Sequence, residues 1–326
     1  MILAVTYPGD EHAAPLLDAL ARRGAEVAVL DTSELPRRGA VALAYGGSHT
    51  RQIRLDGRSP LEAERISAVW WRRPLPLRAS RRLGRAHAAF AVRQAGDALM
   101  GFFALLERHA LFVNHPWRGE MAGLKTFQLA IAERAALLVP ATLVTSDPLE
   151  ARAFLASCGR AGAVHKALHS SPADWRRARR VTPGDRARLG IIRHAPLILQ
   201  RHIPGVDVRV TLVGDQVFAA EIDARRSSSP DDYRGVESQC RFAPCALPAK
   251  VERGLCRLRR DLGLVFGAAD LRRSDDGSWY FLEMNPSGQW GFVEERTGQP
   301  ITAALAELLA RGDRGAFEPA RDRSPG

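Results

Sequence analysis

The segment LVFGAADLRRSDDGSWYFLEMN (264–285) decides how the chain is read, because two runs of strand-forming residues are separated by SDDG, the composition of a hairpin turn. With a tight turn centred on Asp276-Gly277, Asp275 pairs with Ser278, and counting outward sets Asp270 opposite Glu283. Side chains alternate along a strand, so Asn285 joins Glu283 on one face while Leu271, Leu282 and Met284 point to the other. One face is apolar core and the other gathers oxygen donors. Two carboxylates and an amide oxygen this close repel one another unless a hard divalent cation sits between them, and an all-oxygen donor set selects Mg2+ over zinc. The competing reading is two solvated acids on an open sheet face, partly neutralised by Arg272. The text that follows, NPSGQWGFVEERTG (285–298), leaves the strand in Pro, Ser and Gly, the loop chemistry of a site at the mouth of a sheet, and favours the cation.

Working outward, DVRVTLVGDQVFAAEID (207–223) reads as a second hairpin turning at Gly214-Asp215, and Pro248 opens a helix to about residue 261. Upstream, Pro116 to Arg134 is expected to be helical, 139–145 a strand capped by SDP into another helix, GAVHK (162–166) a strand, and PLILQ (196–200) an apolar strand. The N-terminal part opens as β-α-β, with strands at 2–6 and 27–31 around an amphipathic helix from Glu11 to Arg23. VALAY and QIRL bracket a GGSHT turn, AVWWRRP (68–74) is a strand stopped by Pro74, and 85–108 carries Phe90, Leu99, Phe102, Phe103 and Leu106 at helical spacing. Strands and helices alternate, so the class is α/β. Asp31 stands where a ribose would be held in a dinucleotide unit, but no G-x-G-x-x-G precedes it, and that site is excluded.

Composition narrows the partners. The 326 residues are 46% hydrophobic and 25% charged, enough apolar material for packed cores, which excludes disorder as a description of the whole. No run approaches the ~20 apolar residues of a membrane span, and the start lacks a basic n-region and cleavage site, so a soluble cytoplasmic protein is expected. Four cysteines without a C-x-x-C pair make no disulfide framework, and His165 and His169 lie on a strand running into a loop, which disfavours zinc. Trp70-Trp71 and Phe102-Phe103 are read as packing rather than as stacking platforms for bases. The net charge of +11 suits an anionic partner, yet all but three of the 47 basic residues are arginine, the signature of solvated arginine faces. The exceptions are Lys125, Lys166 and Lys250. A compact ammonium reaches one phosphate oxygen through a channel that a planar guanidinium does not fit, which marks Lys125 and Lys166 as candidate phosphate contacts.

A strand ending in Glu-x-Asn, an Asp one strand back and two lysines about forty residues apart resemble the ATP-grasp fold. More narrowly, VWWRRP, VNHP with a lysine soon after, VPATLVTSDP, VRVTLVGDQVFAAEI, DDYR and FLEMNPSGQWGFVEERTGQPI resemble the ATP-grasp peptide maturases of the microviridin type, the graspetide synthetases. The resemblance runs from the first strand to about residue 311. It implies an N-terminal pre-ATP-grasp α/β domain (1–115), a central domain (116–200), a C-terminal antiparallel-sheet domain (201–311) and a flexible tail (312–326). It implies that Lys125 and Lys166 hold ATP phosphates, that the hinge segment of Leu199, Gln200, Arg201, His202 and Ile203 meets the adenine, and that Asp207 receives the ribose hydroxyls. Arg209 then faces the phosphates, and Asp270, Glu283 and Asn285 are the magnesium ligands. Asp232 and Arg234 match the substrate-contacting acid and base of an Asp-Trp-Arg motif, with Tyr233 replacing Trp. His202 stands where an aromatic residue is expected, and Arg225-Arg226 adds charge to the substrate loop.

The expected chemistry is activation of a peptide Asp or Glu carboxylate by ATP as an acyl phosphate, then attack by a hydroxyl or amine of the same peptide to close an ω-ester or ω-amide ring. Arg209, Arg225 and Arg272 are expected to stabilise charge on the transferring phosphoryl group. The expected partner is a ribosomal precursor peptide with a leader and an acidic core, no nucleic acid or membrane is expected, and the resemblance suggests a homodimer. Two alternatives stand beside this: a ligase adding an amino acid to a protein tail or small acid, and, from another class, an arginine-rich nucleic-acid-binding module.

Overall fold

The computed structural model describes residues 1–47, 50–168, 178–229 and 233–312. Asp232, His169 and the segment from residue 313 onward, three subjects of the sequence reading, lie outside those residues. The chain divides into two compact units, one of residues 1–119, 264–266 and the chain from Pro300, the other of 120–263 and 267–299.

The first unit opens with β1 (Ile2–Val5), α1 (Ala13–Ala21), β2 (Val27–Leu30), β3 (Gly39–Leu43), β4 (Arg51–Leu55), β5 (Leu61–Glu62), β6 (Ala68–Trp71), α2 (Arg85–Leu106) and β7 (Leu111–Val113). Strands β2, β1, β6 and β7 form a parallel sheet in that order, and every residue of β1 is buried, as a central parallel strand covered on both faces requires. The expected hairpin is β3–β4, with β5 added beside it. Helix α2 is long and apolar enough to cross a membrane by length and composition, and it sets Leu99, Phe102, Phe103 and Leu106 on one seam in the core with Leu3, Val5 and Phe112. Trp71 meets Phe103 edge-on at 4.9 Å, so these aromatics pack the core.

Helix α3 (Pro116–Ala122) spans the boundary at Gly119, and the second unit follows with α4 (Lys125–Arg134), β8 (Thr142–Thr145), α5 (Pro148–Ser157), β9 (Ala163–Lys166), β10 (Arg179–Arg180), α6 (Pro183–Ala187), β11 (Leu197–Arg201), β12 (Gly205–Val213), β13 (Gln216–Asp223), β14 (Arg241–Pro244), α7 (Ala249–Asp261), β15 (Phe266–Ser274), β16 (Trp279–Asn285) and α8 (Gly291–Thr297). Its central sheet has the order β10-β9-β11-β8 and its C-terminal sheet the order β14-β13-β12-β15-β16. One helix was expected over 116–134; the chain instead breaks at Gly123-Leu124, so that Lys125 begins α4. Asp147 caps α5, its Oδ1 accepting from the Leu149 N–H at 2.7 Å. The last helix, α9 (Ile301–Arg311), packs against α1 and β6, which moves residues 301–311 out of the C-terminal sheet domain and into the first unit.

The β15–β16 hairpin pairs Asp270 with Glu283, by a route different from the one counted in the sequence. The turn holds three residues, not two: Gly277 donates to the Ser274 carbonyl at 2.9 Å, Ser274 donates to Ser278 at 2.8 Å, and Gly277 lies at φ +86°, where a side chain is disfavoured. That extra residue shifts the register by one, and a β-bulge between Asp270 and Leu271 shifts it back. Leu271 therefore faces Phe281, fully buried, and not Leu282, which sits half-buried at the bulge.

Candidate active site

Strand β16 ends the C-terminal sheet, and its outer edge is closed by α4 and the segment after it. The Gln128 carboxamide, itself buried, accepts from the Met284 N–H at 2.8 Å and donates to the Met284 carbonyl at 2.7 Å, and its amino group also donates to the Ala122 carbonyl. Phe281 donates to the Leu138 carbonyl at 2.8 Å. Gln128 thus grips the residue between Glu283 and Asn285. Sequence reasoning missed it; its only signal was the i+3 spacing from Lys125 on one helix face.

That grip brings Lys125, one turn earlier on α4, to Glu283. Its Nζ lies 3.3 Å from Oε2 and donates to the Ala167 carbonyl at 3.2 Å. Arg234 reaches the other oxygen, Nη1 to Oε1 at 3.5 Å, which places this expected substrate residue beside the glutamate. Lys166 ends β9 and feels the same cluster: burial lowers its pKa, the Glu283 charge opposes that shift, and Lys125 and Arg234 add to it. For Glu283, burial favours the neutral acid, but Lys166, Lys125 and Arg234 together outweigh it and hold the carboxyl well below its usual range.

Across the sheet, Arg209 of β12 donates from Nη1 to Asp270 Oδ1 at 2.7 Å and from Nη2 to the Gln289 carbonyl at 3.0 Å. The loop after β16 comes close enough for this because residue 288 is glycine. A Cβ there would stand 2.3 Å from the Ala268 Cβ and 2.8 Å from Arg209 Nη2. Asn285 is exposed at the end of β16, its Oδ1 accepting from the Ser287 N–H at 2.8 Å.

Several of the expected site residues are held by protein partners. Arg272 does not face the cluster as a free cation: Nη1 pairs with Asp207 Oδ1 at 2.8 Å and Nε donates to the Ile203 carbonyl at 3.0 Å, both side chains being buried. Asp207 is correspondingly an ion-pair partner through Oδ1. Arg225 closes a fork on Asp223, at 2.9 and 2.6 Å, within its own loop. In the hinge, the N–H groups of Arg201 and His202 donate to Ala141 and Gly162, Gln200 is buried and donates to Thr142 Oγ1 at 2.8 Å, and the Arg201 side chain donates to the Ser157 carbonyl at 3.1 Å. The Arg180 guanidinium donates to His202 Nδ1 at 3.2 Å. These partners narrow the adenine expectation to the remaining main-chain groups of the segment. Tyr233 is buried with Ile222, Val236 and Phe292, and this packing raises its pKa, so it anchors the loop that presents Arg234.

The cluster joins four cations, Lys125, Lys166, Arg209 and Arg234, to two carboxylates. Its excess of positive charge calls for an anion. Among the described residues no group of three or more His, Cys, Asp or Glu gathers for a metal; the donors here are two acids and one amide. That set fits Mg2+, which takes one or two protein carboxylates and completes its shell with water and phosphate oxygens.

Residues 1–118 match the family model of the MvdD pre-ATP-grasp domain. No curated protein matches the sequence. Among solved structures, the chain is similar to the macrocyclase MdnC of Microcystis aeruginosa MRC, bound with precursor peptide MdnA, at 27% identity and TM-score 0.83 over 96% of this chain and 100% of that one. It is similar to PsnB, an ATP-grasp ligase complexed with a variant of its minimal precursor, Mg and ADP, at 25% identity and TM-score 0.78 over 95% and 98%. A Chryseobacterium gregarium RiPP-associated ATP-grasp ligase, in complex with ADP and a leader and core peptide, shares the fold at 23% identity and TM-score 0.85 over 98% of each chain. The fold is ATP-grasp, and the chain resembles the peptide macrocyclases that carry it.

Proposed function

We propose that this ATP-grasp ligase activates Asp or Glu side chains of a ribosomal precursor peptide and closes ω-ester or ω-amide rings within that peptide. The observation that carries the reading is the cluster of four cations around Asp270 and Glu283, a site built for polyphosphate with a hard cation. With ATP and Mg2+ bound, the γ-phosphoryl passes to a peptide carboxylate, giving an acyl phosphate and ADP, and a peptide hydroxyl or amine then displaces phosphate from the acyl carbon. Asp270, Glu283 and the Asn285 amide oxygen would hold the cation. Lys125 and Lys166 would hold phosphate oxygens as point charges, and Arg209, fixed by Asp270 and the Gln289 carbonyl, supplies a preorganised guanidinium. Arg234 stands on the loop anchored by Tyr233 and joins the peptide side of the site to Glu283. The chain's residues neutralise and orient; the reaction needs no protein nucleophile.

The basic excess suits an acidic core peptide, and the reading includes a homodimer in the cytoplasm that acts on neither nucleic acid nor membrane. The test is incubation with ATP, Mg2+ and a peptide rich in Asp, Glu, Ser, Thr and Lys, followed by mass spectrometry. Loss of one water per ring from the peptide, matched by ADP, is the expected result. Gain of an amino-acid residue would transfer the reading to a ligase of the tail-modifying kind, and tight, steeply salt-dependent oligonucleotide binding without ATP turnover would overturn it.

A further inference from the structure

The hairpin that carries Asp270 and Glu283 does not set their pairing from its turn. On the turn side of the bulge Leu271 faces Phe281, and continuing that register without a bulge would set Asp270 against Leu282 and Glu283 against Ala269. Neighbours along a strand point to opposite faces, so the two carboxylates would then lie on opposite sides of the sheet, out of reach of one cation. The observed pairs Asp270–Glu283, Ala269–Met284 and Ala268–Asn285 exist only beyond the bulge. A bulge interrupts the ladder of hydrogen bonds, so the far part of the hairpin has to be held by something other than the turn.

Two buried carboxamides hold it. Gln128 grips Met284 on β16, as described above. Asn114, 4% exposed and next after β7, does the same for β15: its Oδ1 accepts from the Val265 N–H at 2.7 Å and the Phe266 N–H at 2.9 Å, and its Nδ2 donates to the Phe266 carbonyl at 2.8 Å. A carboxamide carries the donor and acceptor of a peptide unit, so each side chain stands in for one residue of a neighbouring strand. Both grips fall on the same side of the bulge. Phe266 stands four residues before Asp270, and Met284 lies between Glu283 and Asn285. Neither carboxamide can follow a slip: moving a strand by one residue brings up a main-chain N–H and C=O that point to its other edge, and leaves a buried amide unpaired.

We propose that Asn114 is a positioning residue for the phosphoryl transfer: with Gln128 it fixes the bulged register, and through that register it keeps Asp270 and Glu283 on one face for a shared cation. The inference rests on the reading above in taking the two acids as cation ligands, and the experiment separates the two. Asn114→Ala is compared with the wild-type full chain by hydrogen exchange and by ADP release over a Mg2+ series. The amides of 265–271 and 281–285 should exchange about tenfold faster in the variant, and added ADP with Mg2+ should restore their protection, because the cation selects the bulged register. The Mg2+ needed for half-maximal ADP release should rise about tenfold, while turnover at saturating Mg2+ returns to within about twofold of wild type. Asn114→Asp keeps the acceptor and gives up only the donor; it should shift both readouts in the same direction by less, and it carries the test if the alanine variant melts below the assay temperature. Unchanged exchange would overturn the register role, whatever the activity of the chain. Turnover lowered equally at every Mg2+ concentration would overturn the positioning role and leave Asn114 structural. A wild-type chain that releases no ADP, beside a variant that exchanges faster, would overturn the ligase and leave the register to Asn114.

Discussion

Each unit holds a cluster of charges, and the two are built on opposite principles. In the first unit, Arg72 at the end of β6 lies 3.4 Å from Asp10, the side chains are 2% and 1% exposed, Thr6 Oγ1 donates to Asp10 at 3.1 Å, and Asp10 Oδ1 accepts from the His12 N–H. His12 beside them is kept neutral, its pKa pushed down to about 4 by burial and then by the Arg72 charge. One cation faces one carboxylate, sealed from water. In the second unit four cations crowd two carboxylates, and Lys125 and Glu283 remain 21% and 20% exposed. A matched, buried pair has no use for a ligand. A surplus of one sign at an open face costs stability unless an anion arrives, which is the mark of a binding site.

The comparison is broken most directly by Asp270→Asn or Glu283→Gln. Either should lower ADP release about a thousandfold, through loss of cation and phosphoryl stabilisation, while the fold survives. Full turnover in either variant, measured by coupled ADP assay, would remove the second cluster from catalysis. The reverse expectation holds for Asp10→Ala, which strands the buried Arg72 charge and should cost about 3–5 kcal/mol in urea unfolding, with turnover per folded molecule retained.

His12 sharpens the contrast through pH. Its folded-state pKa is depressed, so the unfolded chain binds the extra proton first; stability is fully present above the ordinary value of 6.5 and is lost as pH falls toward about 4. The drop should reach about 3 kcal/mol, and His12→Gln should flatten that limb of the unfolding curve. Gln128→Met is the smallest effect. It keeps the volume but frees both main-chain groups of Met284, and should lower turnover about tenfold with a raised Mg2+ requirement. A matching fall in turnover at saturating Mg2+, with no shift in the Mg2+ curve, would make Gln128 merely structural.

The carboxylate pair was legible because alternation and turn chemistry are local. Even so, the count reached Asp270 and Glu283 only because a longer turn and a bulge, each worth one residue, cancel. The residue that pairs with Leu271 shows the error that remained: Phe281, not Leu282. Lys125 and Lys166 were visible as exceptions in an arginine-rich chain. Arg272 was not legible, because its partner Asp207 lies on a neighbouring strand and nothing in the spacing tells a cation meant for a ligand from one spent on a carboxylate. Gln128 was hidden for the same reason, its partner being main chain.

The hook that Gln128 and Leu138 make on β16 also decides which sheet each lysine is fastened to. Helix α4 comes before the central sheet in sequence but is fastened to the final strand of the other sheet, whereas Lys166 belongs to β9. Lys125 is thereby fixed to the strand that carries Glu283, while Lys166 is held in the sheet of β9, so the two lysines come to the acids from different sheets. The grouping of the lysines is not the one the order of the chain suggests.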